Sequence, residues 1–176
     1  PLDFILASGF NPRVTARRMV ARTEGAFNGG LSRALTIART ETLSAHREAA
    51  RLGREQHTDV VAGWRWMCDL SSRTCPACLA RHGTLHPTDA AGPDGHPNCR
   101  CSAVPVTKSW SELGFPGVEE PADLFPDARA WFDGLPEADQ VAIMGRDRLA
   151  LLRSGDVQWD DLATLRRNPD WRDSWQ

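Results

Sequence analysis

At 176 residues, 41% hydrophobic and 25% charged with a net charge of −2, the chain has the size and composition of a globular domain with room for a buried core. This excludes a miniprotein held by disulfides alone and wholesale disorder; no apolar run comes near the roughly 18 to 20 residues of a membrane span, and no membrane partner is expected. Charge is placed unevenly, net +4 over residues 1–58, +1 over 59–108 and −7 over 109–176, so the chain is no strongly basic nucleic-acid binder and its two ends suit different partners.

The chain opens on Pro1 rather than Met, as expected of a segment from a longer product. Its first apolar stretch, Leu2 to Ala7, is too short for a secretory signal and carries Asp3, so assembly in the cytosol is expected. Asn11 before Pro12 predicts a helix start, because Asn accepts from free first-turn N–H groups and Pro is preset for the first helical position. Ala16, Val20, Thr23 and Phe27 continue at helical spacing to the stop at Gly29 and Gly30. A second helix, with Ser32 as cap, carries Leu31, Leu35, Ala38, Thr42, Ala45, Ala49 and Leu52 in alternating steps of four and three before Gly53. This Ala-rich stripe predicts close packing, and residues 12–54 a helical hairpin.

From Val60 the period changes to two. Trp64, Trp66 and Cys68 fall on one face and Arg65, Met67 and Asp69 on the other, which predicts a strand; a second is expected over residues 100–106. The Ser-, Pro- and Gly-rich stretch 70–99 between them is too long to stand without something holding it. The cysteines supply a candidate: Cys75-x-x-Cys78 and Cys99-x-Cys101, with His96 just before the second pair. Two short-spaced pairs about 20 residues apart suit tetrahedral zinc, since each pair offers two thiolates from one tight turn. Disulfides are disfavoured without a secretory signal, and a redox pair at Cys75 and Cys78 would leave the second pair idle. Cys75, Cys78, His96, Cys99 and Cys101 are thus five candidate ligands for one structural zinc with four positions. Four side-chain ligands leave no open position for water or substrate, so the ion is read as a staple. Cys68 is expected to be a buried thiol, and His82 and His86 exposed loop residues. Arg39 and Glu41 are expected to bind the metal loop from the second helix, and Pro97 and Asn98 to shape the turn that presents His96 and Cys99.

Beyond Lys108 the chain is acidic and Pro-rich, predicting a linker anchored by Trp110 and Phe115. A helix is expected from Pro136, burying Ala138, Val141, Met144, Leu149 and Leu152 and ending at Gly155, followed by a short helix over 160–166. Trp171 and Trp175 lie in a polar tail and are expected either to pack back on the domain or to dock on a partner. The reading is an α+β fold in which a helical hairpin packs on a small antiparallel sheet, with a zinc-stapled loop and a helical C-terminal extension. Residues 1–106 form the first domain (hairpin 12–54, zinc-clamped strand pair 59–106), 107–120 a linker, and 121–176 an acidic helical extension.

Catalytic signatures are sparse. Zinc deaminases combine His-x-Glu with a later Pro-Cys-x-x-Cys, and here His46-Arg47-Glu48 precedes Cys75-Pro76-Ala77-Cys78. Thr74 stands where proline is expected, and His96, Cys99 and Cys101 would be surplus, so His46 and Glu48 are expected on a solvated helix face. A deaminase-like enzyme or delivered effector is the first alternative function; a zinc-dependent nucleic-acid-binding module, supported by the net charge of the first third, is the second.

The blocks Ala38-Arg39-Thr40-Glu41-Thr42, Trp64, Arg73-Thr74-Cys75-Pro76-Ala77-Cys78 with His82-Gly83, and His96-Pro97-Asn98-Cys99-Arg100-Cys101, in that order, resemble the phage Mu F-like head morphogenesis domain of minor head proteins. The resemblance spans about residues 30–106. It implies a structural, non-catalytic virion component of a tailed phage, made with the portal and scaffold in the host cytoplasm during procapsid assembly. It further implies retention in few copies near the portal, portal and other head proteins as partners in a multi-copy assembly, and, in some members, contact with packaged DNA.

Overall fold

Asn11 caps the first helix as its sequence context predicts: its Oδ1 accepts from the N–H of Arg13 at 2.9 Å, and its carbonyl accepts from Val14 and Thr15. The computed structural model describes residues 11–22, 30–169 and 173–176, so the expected roles of Thr23, Phe27, Gly29 and Trp171 lie outside the described residues. Helix α1 is Pro12–Arg22 and α2 is Gly30–Gln56, beginning before Ser32, which therefore does not cap it. The two helices meet through small side chains. Ala16, Ala34 and Ala38 have no exposed surface, with Met19, Val20 and Leu35 around them.

The Ala-rich stripe does not continue as expected. Ala45, Ala49 and Leu52 are exposed, and the inward residues of the C-terminal half of α2 are polar. Thr40 and Arg54 are buried and Arg47 is half-buried, at intervals of seven, which keeps them on one face. Thr40 and Arg47 face loop backbone, whose N–H and carbonyl groups require hydrogen-bonding partners, whereas the Arg54 guanidinium lies over the Trp64 ring at 5.3 Å.

Strand β1 is Val61–Met67, and the predicted alternation holds: Trp64 and Trp66 are 0% and 2% exposed and Cys68 is buried, while Met67 faces solvent. After the short helix α3, Pro76–Arg81, come β2, Leu85–His86, and β3, Ser102–Thr107. They form an antiparallel sheet in the order β2-β1-β3, with Trp64 opposite His86 on one side and Pro105 on the other. The strand over 100–106 thus begins two residues later than expected, and β2 adds an edge that the pattern of residues 70–99 did not suggest.

The C-terminal part consists of α4, Ala128–Asp133; α5, Glu137–Met144; α6, Arg146–Ser154; a 3₁₀ turn, Asp160–Leu162; and a two-stranded ribbon of β4, Leu165–Arg166, with β5, Ser174–Trp175. The single helix expected from Pro136 is broken at Gly145, whose φ of +78° lies outside helical space. The inward face of α5 runs through Gln140, Ile143 and Met144, which leaves Ala138 exposed and Val141 only half-buried, while Met144, Leu149 and Leu152 are buried as expected. The short helix expected over 160–166 is a 3₁₀ turn followed by a strand.

One core joins these parts. Trp64, Trp66 and Leu79 pack in the same cluster as Phe132, Ile143, Met144, Leu149, Leu152 and Leu162. Each buried indole removes about 150–250 Å² from water, an upper-bound contribution of about 4–6 kcal/mol apiece. Trp175 packs back against this core, with its N–H donating to the Asp94 carbonyl at 3.3 Å and the Arg81 guanidinium 4.3 Å from its ring. Trp110 and Phe115 do not anchor the linker in the core: both are exposed and meet each other edge to face at 6.1 Å. The linker is held instead further along. Arg65 pairs with Asp123 at 2.7 Å and lies over Phe125, and the Phe125 ring tilts against His82 at 4.8 Å.

His82 and His86, expected as exposed loop residues, are half-buried and bonded. His86 stacks on Trp64 with ring centroids 4.1 Å apart. His82 Nδ1 accepts from the N–H of Cys68 at 3.1 Å, which leaves Nε2 as the donor to the Pro126 carbonyl at 3.0 Å. Burial pushes the His82 pKa below its ordinary value. The unfolded chain then binds the proton more readily, so this stabilisation is present above about pH 6.5 and is lost as pH falls below it. The melting temperature is expected to drop between about pH 7 and pH 5, with a shallower slope in His82→Gln, as thermal denaturation across that range would read.

Candidate metal centre

The first cysteine pair is set by a helix start. Cys75 is the N-cap of α3, Pro76 occupies its first turn, and the Cys75 sulfur accepts from the N–H of Cys78 at 3.4 Å. The geometry turns both sulfurs to the same side, as the two-residue spacing requires. The second pair follows a turn at Pro97 and Asn98: the Cys99 N–H donates to the His96 carbonyl at 3.0 Å, and Asn98 adopts φ +65°, a left-handed conformation that Asn tolerates better than most residues.

Two overlapping sets of donors result, Cys75 with Cys78 and His96, and Cys78 with Cys99 and Cys101, the donor atoms of each lying within 4.8 Å of one another. Cys78 belongs to both. Its sulfur is 3.8 Å from Cys99 Sγ and 3.7 Å from His96 Nε2, and Cys75 Sγ is 3.1 Å from that same nitrogen. A tetrahedral ion with metal–sulfur bonds of about 2.3 Å requires sulfurs about 3.8 Å apart, so the spacing at Cys78 fits such an ion. The donors border a small cavity of about 120 Å³. Cys78, Cys99 and Cys101 are buried, and Cys75 and His96 half-buried.

The donors divide their protons unevenly: hydrogen bonds with neighbouring cysteines and burial push the Cys78 thiol up, and Cys101 is raised as well, while Cys75 and Cys99 are held down. Hydrogen bonds from Cys78 and then from His96 hold the Cys75 thiol down at about 4, and the Cys75 sulfur in turn raises His96 to about 9. Bonds from Cys101 and Cys78 depress Cys99 to about 2. Cys68 lies outside both donor sets, and burial pushes its thiol up to about 12.

Support from outside the donor sets comes from α2, through residues other than Arg39. Arg47 donates from Nη2 to the carbonyls of Cys99 at 3.0 Å and Cys101 at 2.7 Å, and from Nε to Cys101 at 3.1 Å. The role expected of Arg39 through loop carbonyls is therefore filled by Arg47, eight residues on, because the part of α2 that meets the loop runs through 40 and 47. Thr40 completes the contact, its hydroxyl accepting from the Asn98 N–H at 2.8 Å while donating to the Thr36 carbonyl. The periodic signal for this face, Thr40, Arg47 and Arg54 at sevens, is present in the chain but masked by the neighbouring alanines. His46 and Glu48 are exposed, Glu48 pairing with Arg51 at 2.6 Å, and neither belongs to a donor set.

Gly95 is the tightest point of the loop. A Cβ there would sit 2.5 Å from Cys99 Sγ and 2.9 Å from Cys99 Cβ. Gly95→Ala is therefore expected to displace the Cys99 sulfur and to release metal at chelator concentrations that wild type withstands, with affinity down about 10- to 100-fold in a competition assay. Unchanged affinity would show that the loop yields without moving the sulfur.

Among the described residues, no helix is long and apolar enough to cross a membrane. The family described as "Phage Mu protein F like protein" matches residues 6–104, more than half of the chain, from the hairpin through the metal loop and into β3. No curated protein and no solved structure matches.

Proposed function

The chain belongs to the phage Mu protein F-like family, and from that membership we propose that it is a structural component of a tailed-phage head that acts in procapsid assembly near the portal. The observation that carries this reading is that the family match takes in the hairpin and every candidate metal ligand, so the matched unit is the helix-supported metal loop itself. Its partners are the portal and other head proteins, its site of assembly the host cytoplasm and its destination the virion, with packaged DNA as a further contact. No catalytic step is assigned to it.

In this reading one zinc ion is held by Cys75, Cys78 and Cys99 with either His96 or Cys101 as the fourth ligand. Zinc suits a donor set of thiolates and an imidazole in a closed tetrahedral site. Bound there, it supplies folding energy rather than reactivity. The chain's own residues do the positioning: α3 presents Cys75 and Cys78, the Asn98 turn presents Cys99, and Arg47 and Thr40 tie the loop to α2.

Quantitative mass spectrometry of purified heads tests the assignment. The chain is expected at low, fixed copy number relative to the major capsid protein, and heads assembled without its gene are expected to be fewer or malformed. Absence from purified heads together with normal head yield in the deletion would overturn it.

A further inference from the structure

The chain carries two surfaces of opposite charge, each set around exposed aliphatic side chains. Helix α1 has four arginines and no acidic residue in eleven positions. Its buried side runs through Thr15 and Ala16, which leaves Arg13, Arg17 and Arg18 outward around Val14, itself 39% exposed. At the other end, residues 109–139 hold eight carboxylates against the single base Arg129. Within that stretch Glu119, Glu120 and Asp123 surround Val118 and Leu124, which are 53% and 90% exposed.

Leu124 is the most exposed large hydrophobic side chain among the described residues, yet its backbone is pinned on both sides. Asp123 pairs with Arg65 and accepts from the Phe125 N–H at 2.9 Å, Phe125 lies under Arg65, and the Pro126 carbonyl bonds His82. An apolar side chain held outward on a fixed segment loses little freedom on binding. Glu120 is likewise fixed, accepting from the Trp110 N–H at 2.6 Å.

We propose that the arginine face of α1 in one copy docks on the Glu119–Asp123 and Leu124 surface of a second copy of this chain. Charge complementarity selects the occupant: the Arg13 and Arg17 guanidiniums around an exposed valine meet the Glu119 and Glu120 carboxylates beside an exposed valine and leucine. The contact is heterologous, so each copy uses both surfaces with different neighbours, and repetition generates a ring or an open chain according to the rotation between copies. The proposal deepens the multi-copy part of the head assignment and rests on that reading for its biological setting, but its test uses the purified protein alone.

Sedimentation velocity over a concentration series decides it. Wild type is expected to self-associate at about 50 mM salt and to do so at least about tenfold more weakly at about 500 mM, since exposed charges are then screened. Arg13→Gln/Arg17→Gln and Glu119→Gln/Glu120→Gln are each expected to be monomeric with unchanged helix content, Gln being a good helix former. Mixed together, each variant retains one working surface, so the mixture should form a one-to-one pair that grows no further. A wild type that stays monomeric at about 200 µM in low salt, or association unaffected by either double variant, would overturn the proposal. Binding of α1 to duplex DNA with no self-association would overturn it in favour of a nucleic-acid surface. Failure here would leave the head assignment standing, because that is read from the composition of heads.

Discussion

Cys78→Ser is expected to abolish metal binding and to unfold residues 60–106, the largest effect of any single substitution in this chain. Cys78 is the donor common to both sets, 3.8 Å from Cys99 Sγ and 3.7 Å from His96 Nε2, and no neighbouring thiol can take its central position. Metal binding in small zinc domains carries apparent free energies of about 10–16 kcal/mol at neutral pH, and that binding energy is folding energy. Within residues 70–99 the apolar anchors are few, chiefly Leu79, Ala80 and Pro93, so most of the loop depends on the ion for its closure. By contrast, five donors compete for four positions, so one of His96→Ala and Cys101→Ser should retain close to one equivalent of metal while the other loses it. Cys68→Ser should leave metal content unchanged. Elemental analysis and circular dichroism of the four variants measure this directly; a full equivalent of metal in Cys78→Ser would remove the site as drawn.

Arg47→Met should destabilise the protein by about 2–4 kcal/mol, the largest effect expected outside the donor sets. Three hydrogen bonds from one guanidinium to the carbonyls of Cys99 and Cys101 are lost, and both carbonyls are left facing an apolar side chain. Arg47→Lys is expected to recover little, since a single ammonium cannot reproduce the fork that reaches both carbonyls. Denaturant unfolding monitored by tryptophan fluorescence gives the stability, and metal release to a chelator should quicken in parallel. A loss below about 0.5 kcal/mol would mean that the loop carries its own geometry and that α2 merely lies against it.

Local chemistry made much of this protein legible in its sequence. Asn11 and Pro12 start a helix because capping and a preset φ act within one turn, and the period-two alternation of Trp64, Trp66 and Cys68 against Met67 placed the buried face of β1. The two cysteine pairs and His96 singled out the donors that the fold brings together, since each short spacing requires only a tight turn. The family resemblance rested on those same blocks.

Other features followed from which surfaces meet, and those required the tertiary structure. Ala45, Ala49 and Leu52 fit the apolar period of α2, but the helix turns Thr40 and Arg47 inward, because their neighbour is loop backbone that must be hydrogen-bonded, and Arg54 inward over the Trp64 ring. Arg47 replaced Arg39 for the same reason. His82 and His86 were drawn out of the loop by partners distant in sequence, Pro126 and Trp64. The fate of Trp175 was open in the chain and was settled by Asp94 and Arg81. Spacing, capping and alternation are short-range and can be read along a chain, whereas the polarity a helix face needs depends on what lies across from it, which only the folded molecule determines.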